Sequence, residues 1–441
     1  MKRIQAASWM LCLGLMLLPV SSRAGPRGLS AEGHWVSTWV SMPQLTETSN
    51  LPPAPFTGDS AVFVDSTIRQ TVHSSIPGKK IRIRFSNAFG DTALTINAAR
   101  IALPAGGAAG VSAIDPKTDR PLLFQGNASV TIPTGAYVVS DPIVFPVAAR
   151  SNVAVTVYTE KGQQSKNVTS HPGSRTTSYF VAGNHVTDAD LAGAANVNHW
   201  YFLSGLEVWT DDSTAGLIIV GDSLTDGRGS TTNQNDRWPN QLDDMLQADR
   251  STSGIAVLNQ AAGGNRVLND GLGPNVMARL DRDLLAQVGV RWAILFEGVN
   301  DIGTADATDE AQKKVAGELI RAFQQIIIRA HAKNILVFGA TITPFGGNGY
   351  ADGTGFREAA RQTVNKWIRT SGKFDAVIDF DKAVRDPANP AALLPDYDVG
   401  DHLHMNPNGY KALASAVHPG LFWHRQFPNM NWRFGEDPSE L

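Results

Sequence analysis

Cysteine is almost missing from this 441-residue chain: the single one, Cys12, lies in the apolar stretch near the N-terminus. Residues 1–24 read as a secretory signal, with Lys2 and Arg3 in front, Ala6 to Val20 mostly apolar, and Ser22-Arg23-Ala24 at the cleavage positions. The mature chain would then carry no thiol, which excludes disulfides, a cysteine nucleophile and cysteine-based zinc sites. A long apolar run is lacking too, since Ala6 to Val20 is too short for a good membrane span. Trp9-Met10-Leu11 before Cys12 lacks the small residues of a lipid-attachment site, so no stable membrane anchor is expected. Nor is there an excess of positive charge. Without Lys2, Arg3 and Arg23 the balance is 35 basic to 41 acidic residues, net −6, which argues against nucleic acid or an anionic membrane as partner. Export to the periplasm or the medium is the expectation.

Helical periodicity is absent from the first half. Residues 31–210 form short strand-like segments broken by turns, with Ile81-Arg82-Ile83-Arg84-Phe85 alternating as a half-buried strand should. Asn152 to Tyr158 and Tyr201-Phe202-Leu203 are further strand candidates, and this pattern points to a β-sandwich-like domain. From about residue 215 strands and helices alternate. The strands are expected at 217–221, 255–259, 291–297, 334–340 and 375–380. Helices are expected at 277–288, 309–332, 356–370 and from Pro407 to about 420. That order implies an α/β domain over 215–420, a three-layer αβα arrangement around a parallel sheet. Asp211-Asp212-Ser213-Thr214 is the seam, and the aromatic tail 421–441 is expected to pack back onto a domain.

What is present gathers at the strand ends. Gly221-Asp222-Ser223 follows the first strand and Ala262-Gly263-Gly264-Asn265 the second. Gly298-Val299-Asn300-Asp301 follows the third, and Asp401-His402-Leu403-His404 precedes the last helix. Loops beyond the carboxyl ends of parallel strands are where such sheets do chemistry. A serine hydroxyl needs a base to accept its proton, histidine titrates in the right range, and an aspartate on the far ring nitrogen fixes the tautomer. Asp401 and His404, three residues apart, lie within reach of each other. The N–H of Ser223, the N–H of Gly264 and the amide of Asn300 are candidates for an oxyanion hole. Gly263 is the neighbouring alternative to Gly264 for the second donor.

These four blocks, in this order, resemble the SGNH or GDSL hydrolase superfamily, and specifically its secreted two-domain branch. The segments His34 to Trp39, Arg84 to Gly90 and Gly339 to Gly346 look like that branch as well. The resemblance implies a flavodoxin-like catalytic fold with Ser223 as nucleophile, Asp401 and His404 completing a triad, and Gly264 and Asn300 completing the oxyanion hole. It implies a secreted serine esterase that needs no metal and no organic cofactor. The expected partner is an ester substrate, with acetyl or short acyl esters on carbohydrate preferred and a lipid or lysophospholipid esterase as the alternative. A carbohydrate-binding protein with an inert hydrolase half is the rival from another class; the intact Ser223, Asn300, Asp401 and His404 speak against it. Acyl transfer, oligomeric state and the role of the β half stay open.

Among neighbouring residues, Asp222 reads as a brace for the turn and Asp301 as a loop-bonding carboxylate. His402 is expected to point away from the pocket rather than pair with His404 on a metal, and Trp238-Pro239 to start a packed helix. His171, in Ser170-His171-Pro172-Gly173-Ser174, is expected on a surface loop of the β domain, with a position facing the active site as the less favoured reading.

Overall fold

The computed structural model describes residues 33–425. The expected leader, and the aromatic tail beyond residue 425, lie outside these residues. The start of the tail does pack back: Phe422 is buried, with its ring 5.5 Å from Trp292 and 5.9 Å from Phe338.

Between His34 and Thr210 the chain folds into antiparallel sheets. One runs in the order His34–Val40, Leu203–Thr210, Gly78–Ser86, Ile143–Val147. Another is built around Ser66–Ser74 and Ser151–Thr159, with Ser178–Ala182 and Ala98–Ala102 on their outer sides. Ile81, Ile83, Phe85 and Val208 from the first join Ile68, Val72, Val155, Val157 and Phe180 from the second in one apolar core. The alternation around residue 83 holds for the apolar set, but Arg84 departs from it. It is 6% exposed and donates to the carbonyl of Ser204 (3.0 Å) and to Gln287 Oε1 (2.8 Å). The second half of the chain covers that strand's outer face, so a side chain the pattern assigns to water is held at an interface instead. Tyr201-Phe202-Leu203 is likewise not one strand. Trp200–Tyr201 pairs with Thr169–His171, Phe202 takes φ +62°, and Leu203–Thr210 continues in a different sheet.

Five parallel strands make up the second half: Ala215–Gly221, Ile255–Ala261, Val290–Phe296, Leu336–Ala340 and Ala376–Ile378. Their spatial order is second, first, third, fourth, fifth. The helices are α1 (Ser223–Asp226), α2 (Trp238–Ala248), α3 (Val276–Leu280), α4 (Val299–Thr304), α5 (Asp309–His331), α6 (Phe356–Thr370), α7 (Phe380–Val384) and α8 (Pro407–Ser415). α2, α7 and α8 associate on one face and α3, α5 and α6 on the other. The result is a three-layer flavodoxin-like core. In this strand order the crevice lies at the carboxyl ends beside the first and third strands, where the chain crosses from one face to the other.

The halves are joined closely. Ser75 Oγ donates to Asp243 Oδ1 (2.6 Å) and accepts the N–H of Val257 (2.9 Å), while Ser37 N–H donates to the carbonyl of Val288 (3.1 Å).

Candidate active site

The first parallel strand is buried throughout and ends at Gly221, where a Cβ would sit 2.4 Å from Thr225 Oγ1. Only glycine lets the chain turn this tightly into α1. Asp222 caps that helix: its side chain accepts Leu224 N–H (2.9 Å) and its carbonyl accepts the N–H groups of Thr225 and Asp226. Burial pushes the Asp222 carboxyl up to about 7, helped by the nearby Asp301 and Asp226 and opposed by the Leu224 N–H and Arg279. Gly227, at φ +96°, ends the helix after one turn.

The turn leaves Ser223 Oγ 2.7 Å from His404 Nε2, and His404 Nδ1 lies 2.7 Å from Asp401 Oδ2. Asp401 is fixed in turn, its other oxygen accepting the N–H groups of His404 (2.8 Å) and Leu403 (3.1 Å). Partial burial works against ionisation of Asp401, but these bonds and the imidazole hold its pKa below the ordinary value. Burial lowers the His404 pKa; the Asp401 carboxylate opposes this, and the Arg228 and Arg175 guanidiniums add to it. A neutral imidazole must donate from Nδ1 to the ionised Asp401, which leaves Nε2 with a lone pair facing the serine hydroxyl. This is the tautomer a general base requires.

Asn300 lies in the first turn of α4, 3% exposed. Its Nδ2 donates to the carbonyl of Asn265 (2.9 Å) and its Oδ1 accepts the hydroxyl of Tyr350 (2.9 Å). The tyrosine orients the amide, so that Nδ2 has one N–H engaged and a second to offer. Tyr350 carries no motif that would have singled it out in the sequence. Gly264 stands in the turn closed by Asn265 N–H to the carbonyl of Ala262 (3.2 Å), at φ +68°, with Leu272 Cδ1 only 2.8 Å from where a Cβ would lie. Gly263 has neither constraint. The conformational demand thus falls on Gly264. Arg279, another residue without a sequence signal, is buried beneath this turn. It donates to Asn265 Oδ1 (3.0 Å) and to the carbonyl of Gln260 (2.7 Å).

Asp301 accepts the N–H groups of Val267 and Leu268, both at 2.9 Å, as a loop-bonding carboxylate should; burial lifts its pKa to about 6 against those bonds. His402 turns away, its Nδ1 2.6 Å from Asp398 Oδ2 and its side chain 54% exposed. Among the described residues no group of three or more His, Cys, Asp or Glu is placed to hold a metal ion. His171 corrects the surface-loop expectation. It is 3% exposed, and its Nε2 lies 2.9 Å from Asp226 Oδ1 at the end of α1. The strand that carries it is packed between the two halves, so the loop reading fails. No helix of the described residues is long and apolar enough to cross a membrane.

The GDSL-like Lipase/Acylhydrolase family model matches residues 219–412. No curated protein matches the chain. Among solved structures it is similar to an acetylxylan esterase from Geobacillus stearothermophilus, at 21% identity and a TM-score of 0.35 over 46% of this chain and 91% of that one. It is also similar to a GDSL-like lipase from Bacteroides thetaiotaomicron, at 15% identity and a TM-score of 0.35 over 47% and 87% of the two chains.

Proposed function

Because residues 219–412 are a GDSL-like lipase/acylhydrolase domain, we propose that this carboxylic ester hydrolase works through an acyl-enzyme on Ser223. The observation that carries this reading is the unbroken chain Ser223 Oγ–His404 Nε2–His404 Nδ1–Asp401, each contact at 2.7 Å. As Ser223 Oγ bonds to the ester carbonyl carbon, its proton passes to His404 Nε2, and Asp401 stabilises the imidazolium. The negative charge developing on the carbonyl oxygen is met by the N–H groups of Ser223 and Gly264 and the free N–H of Asn300. Collapse breaks the bond to the alcohol, which leaves with the proton from Nε2. Water then gives a proton to Nε2 as its oxygen bonds to the acyl carbon; the bond from that carbon to Ser223 Oγ breaks, Oγ takes the proton back from Nε2, and the acid leaves.

Polar groups border the triad. Arg228 Nε lies 4.0 Å from Asp401 Oδ2, Asn348 donates to the Asp401 carbonyl (2.7 Å), and Tyr350 stands on Asn300. Such a border suits a hydroxyl-rich leaving group, and supports acetyl or short acyl esters of carbohydrate as substrates for an exported enzyme. One observation favours the lipid reading. Leu272 beside Gly264 and Val399, whose N–H donates to the His404 carbonyl, are both exposed apolar side chains at the site.

Ser223→Ala should abolish ester hydrolysis while leaving the unfolding transition in place; surviving turnover would overturn the mechanism. Acetate release from acetylated xylan or pectin, set against fatty-acid release from long-chain lipid esters, separates the two substrate classes. Fatty acid without acetate rejects the preferred one.

A further inference from the structure

We propose that His171, supplied by the β half, is a positioning residue for the nucleophile: it holds the far end of the helix that begins at Ser223. The inference rests on the serine-esterase reading above. α1 has four residues, too few to be stable on its own. Its placement against His404, which comes from a distant loop, must therefore be imposed from outside. Ser223 heads the helix and Asp226 ends it, and Asp226 is where the β half takes hold.

The hold is specific. His171 Nδ1 lies 3.0 Å from the carbonyl of Met42, which can only accept, so Nδ1 carries a proton. Nε2 faces Asp226 Oδ1 at 2.9 Å, and a proton between ring and carboxyl closes that contact as a hydrogen bond. Both side chains are almost fully buried, at 3% and 2% exposure. The imidazole stacks on Trp200 (5.7 Å between centroids, 24° between planes), and Trp200 is fixed by its indole N–H on the carbonyl of Thr71 (3.0 Å). Gly173 presses its backbone on Asp226, since a Cβ there would fall 1.6 Å from Oδ2. Arg237 completes the clamp, donating to the Asp226 carbonyl (3.1 Å) and to the Ser174 carbonyl of the β half (2.6 Å). Asn259 and Trp238 of the second half hold the middle of α1, donating to the Thr225 carbonyl (3.0 Å) and to Thr225 Oγ1 (3.2 Å), whereas the groups that grip the Asp226 side chain come from the β half. That half is thus a part of the active-site scaffold rather than only a wall beside it. His171 touches no reacting atom, so its influence passes through α1 to the 2.7 Å contact between Ser223 and His404.

The test uses the full chain, p-nitrophenyl acetate as substrate and a fluorophosphonate that labels the reactive serine. His171→Ala should lower kcat and the labelling rate together by roughly ten- to a hundredfold, as small misplacements of a nucleophile do. KM should stay within about twofold, because substrate contacts are untouched. His171→Gln, which retains one donor for Asp226, should recover part of both rates. A role in stability alone would lower the melting temperature and leave kcat and labelling per folded molecule unchanged; that result overturns the proposal. Where His171→Ala does not fold, His171→Gln decides: a folded Gln variant at the wild-type labelling rate overturns it, and a slower one supports it. If the wild-type protein is not labelled at Ser223, it is the esterase reading that fails instead.

Discussion

Asn300 has one amide N–H tied to the Asn265 carbonyl and its oxygen tied to Tyr350, so its remaining N–H is aimed before any substrate arrives. Asn300→Ala should therefore lower kcat by about 10²–10³-fold with a smaller change in KM, the usual loss for one oxyanion donor; steady-state kinetics check it. The pH profile follows from His404. Activity needs the neutral imidazole, whose pKa burial lowers below the ordinary histidine value. The acid limb of kcat/KM should therefore fall at a pH below the roughly 6.5 of an unperturbed histidine. A limb above that value would contradict the burial. The residues proposed as the triad could be picked out because each stands in a short block at a strand end, with Asp401 and His404 close in sequence. Tyr350, Arg279 and the true place of His171 could not. Each acts on a residue far away in the chain, and no local spacing marks such a meeting.

Among the elements, α1 with its Asp222 cap is the most exacting. The Asp222 carboxyl titrates near 7 in the folded protein, well above its value in an unfolded chain. The folded state therefore binds the extra proton between about pH 4 and 7, and stability falls as pH rises through that window. Asp222→Asn keeps an oxygen to accept Leu224 N–H and removes the buried charge. It should raise the melting temperature relative to wild type at pH 8, with a smaller effect or a loss at pH 5; calorimetry at the two pH values decides. The long helices were readable from periodicity, α5 and α6 within a residue or so of expectation. The last helix stops earlier than expected, at Ser415, before Pro419. The turn at Phe202 escaped notice because Tyr201-Phe202-Leu203 has strand composition, and the change of sheet depends on partners elsewhere. Arg84 misled for the same reason: alternation reports which face a side chain takes, not what later covers that face.

At the scale of the whole molecule, the change from period-2 segments to alternating strands and helices marked the two halves correctly in kind. What it left unseen is how firmly they engage, through Ser75 with Asp243 and Val257, Arg84 with Gln287, and His171 with Asp226. Composition says nothing about such pairings, since each is a single polar contact among ordinary residues. One feature of the β half has a bearing on time rather than stability. Its first strand pairs with its last, His34 opposite Thr210, so that sheet is complete only when the two ends of the half meet. The loop-closure entropy of so distant a pairing grows only as the logarithm of the intervening length, but long-range pairings of this kind slow folding markedly. The strand leading to Ser223 begins just beyond, at Ala215. The amides of 34–40 and 203–210 should accordingly gain protection after those of α5 and α6 in pulsed hydrogen exchange; the reverse order would refute it. On the proposed mechanism the nucleophile would then be assembled late, and a chain still folding would carry its serine without the means to use it.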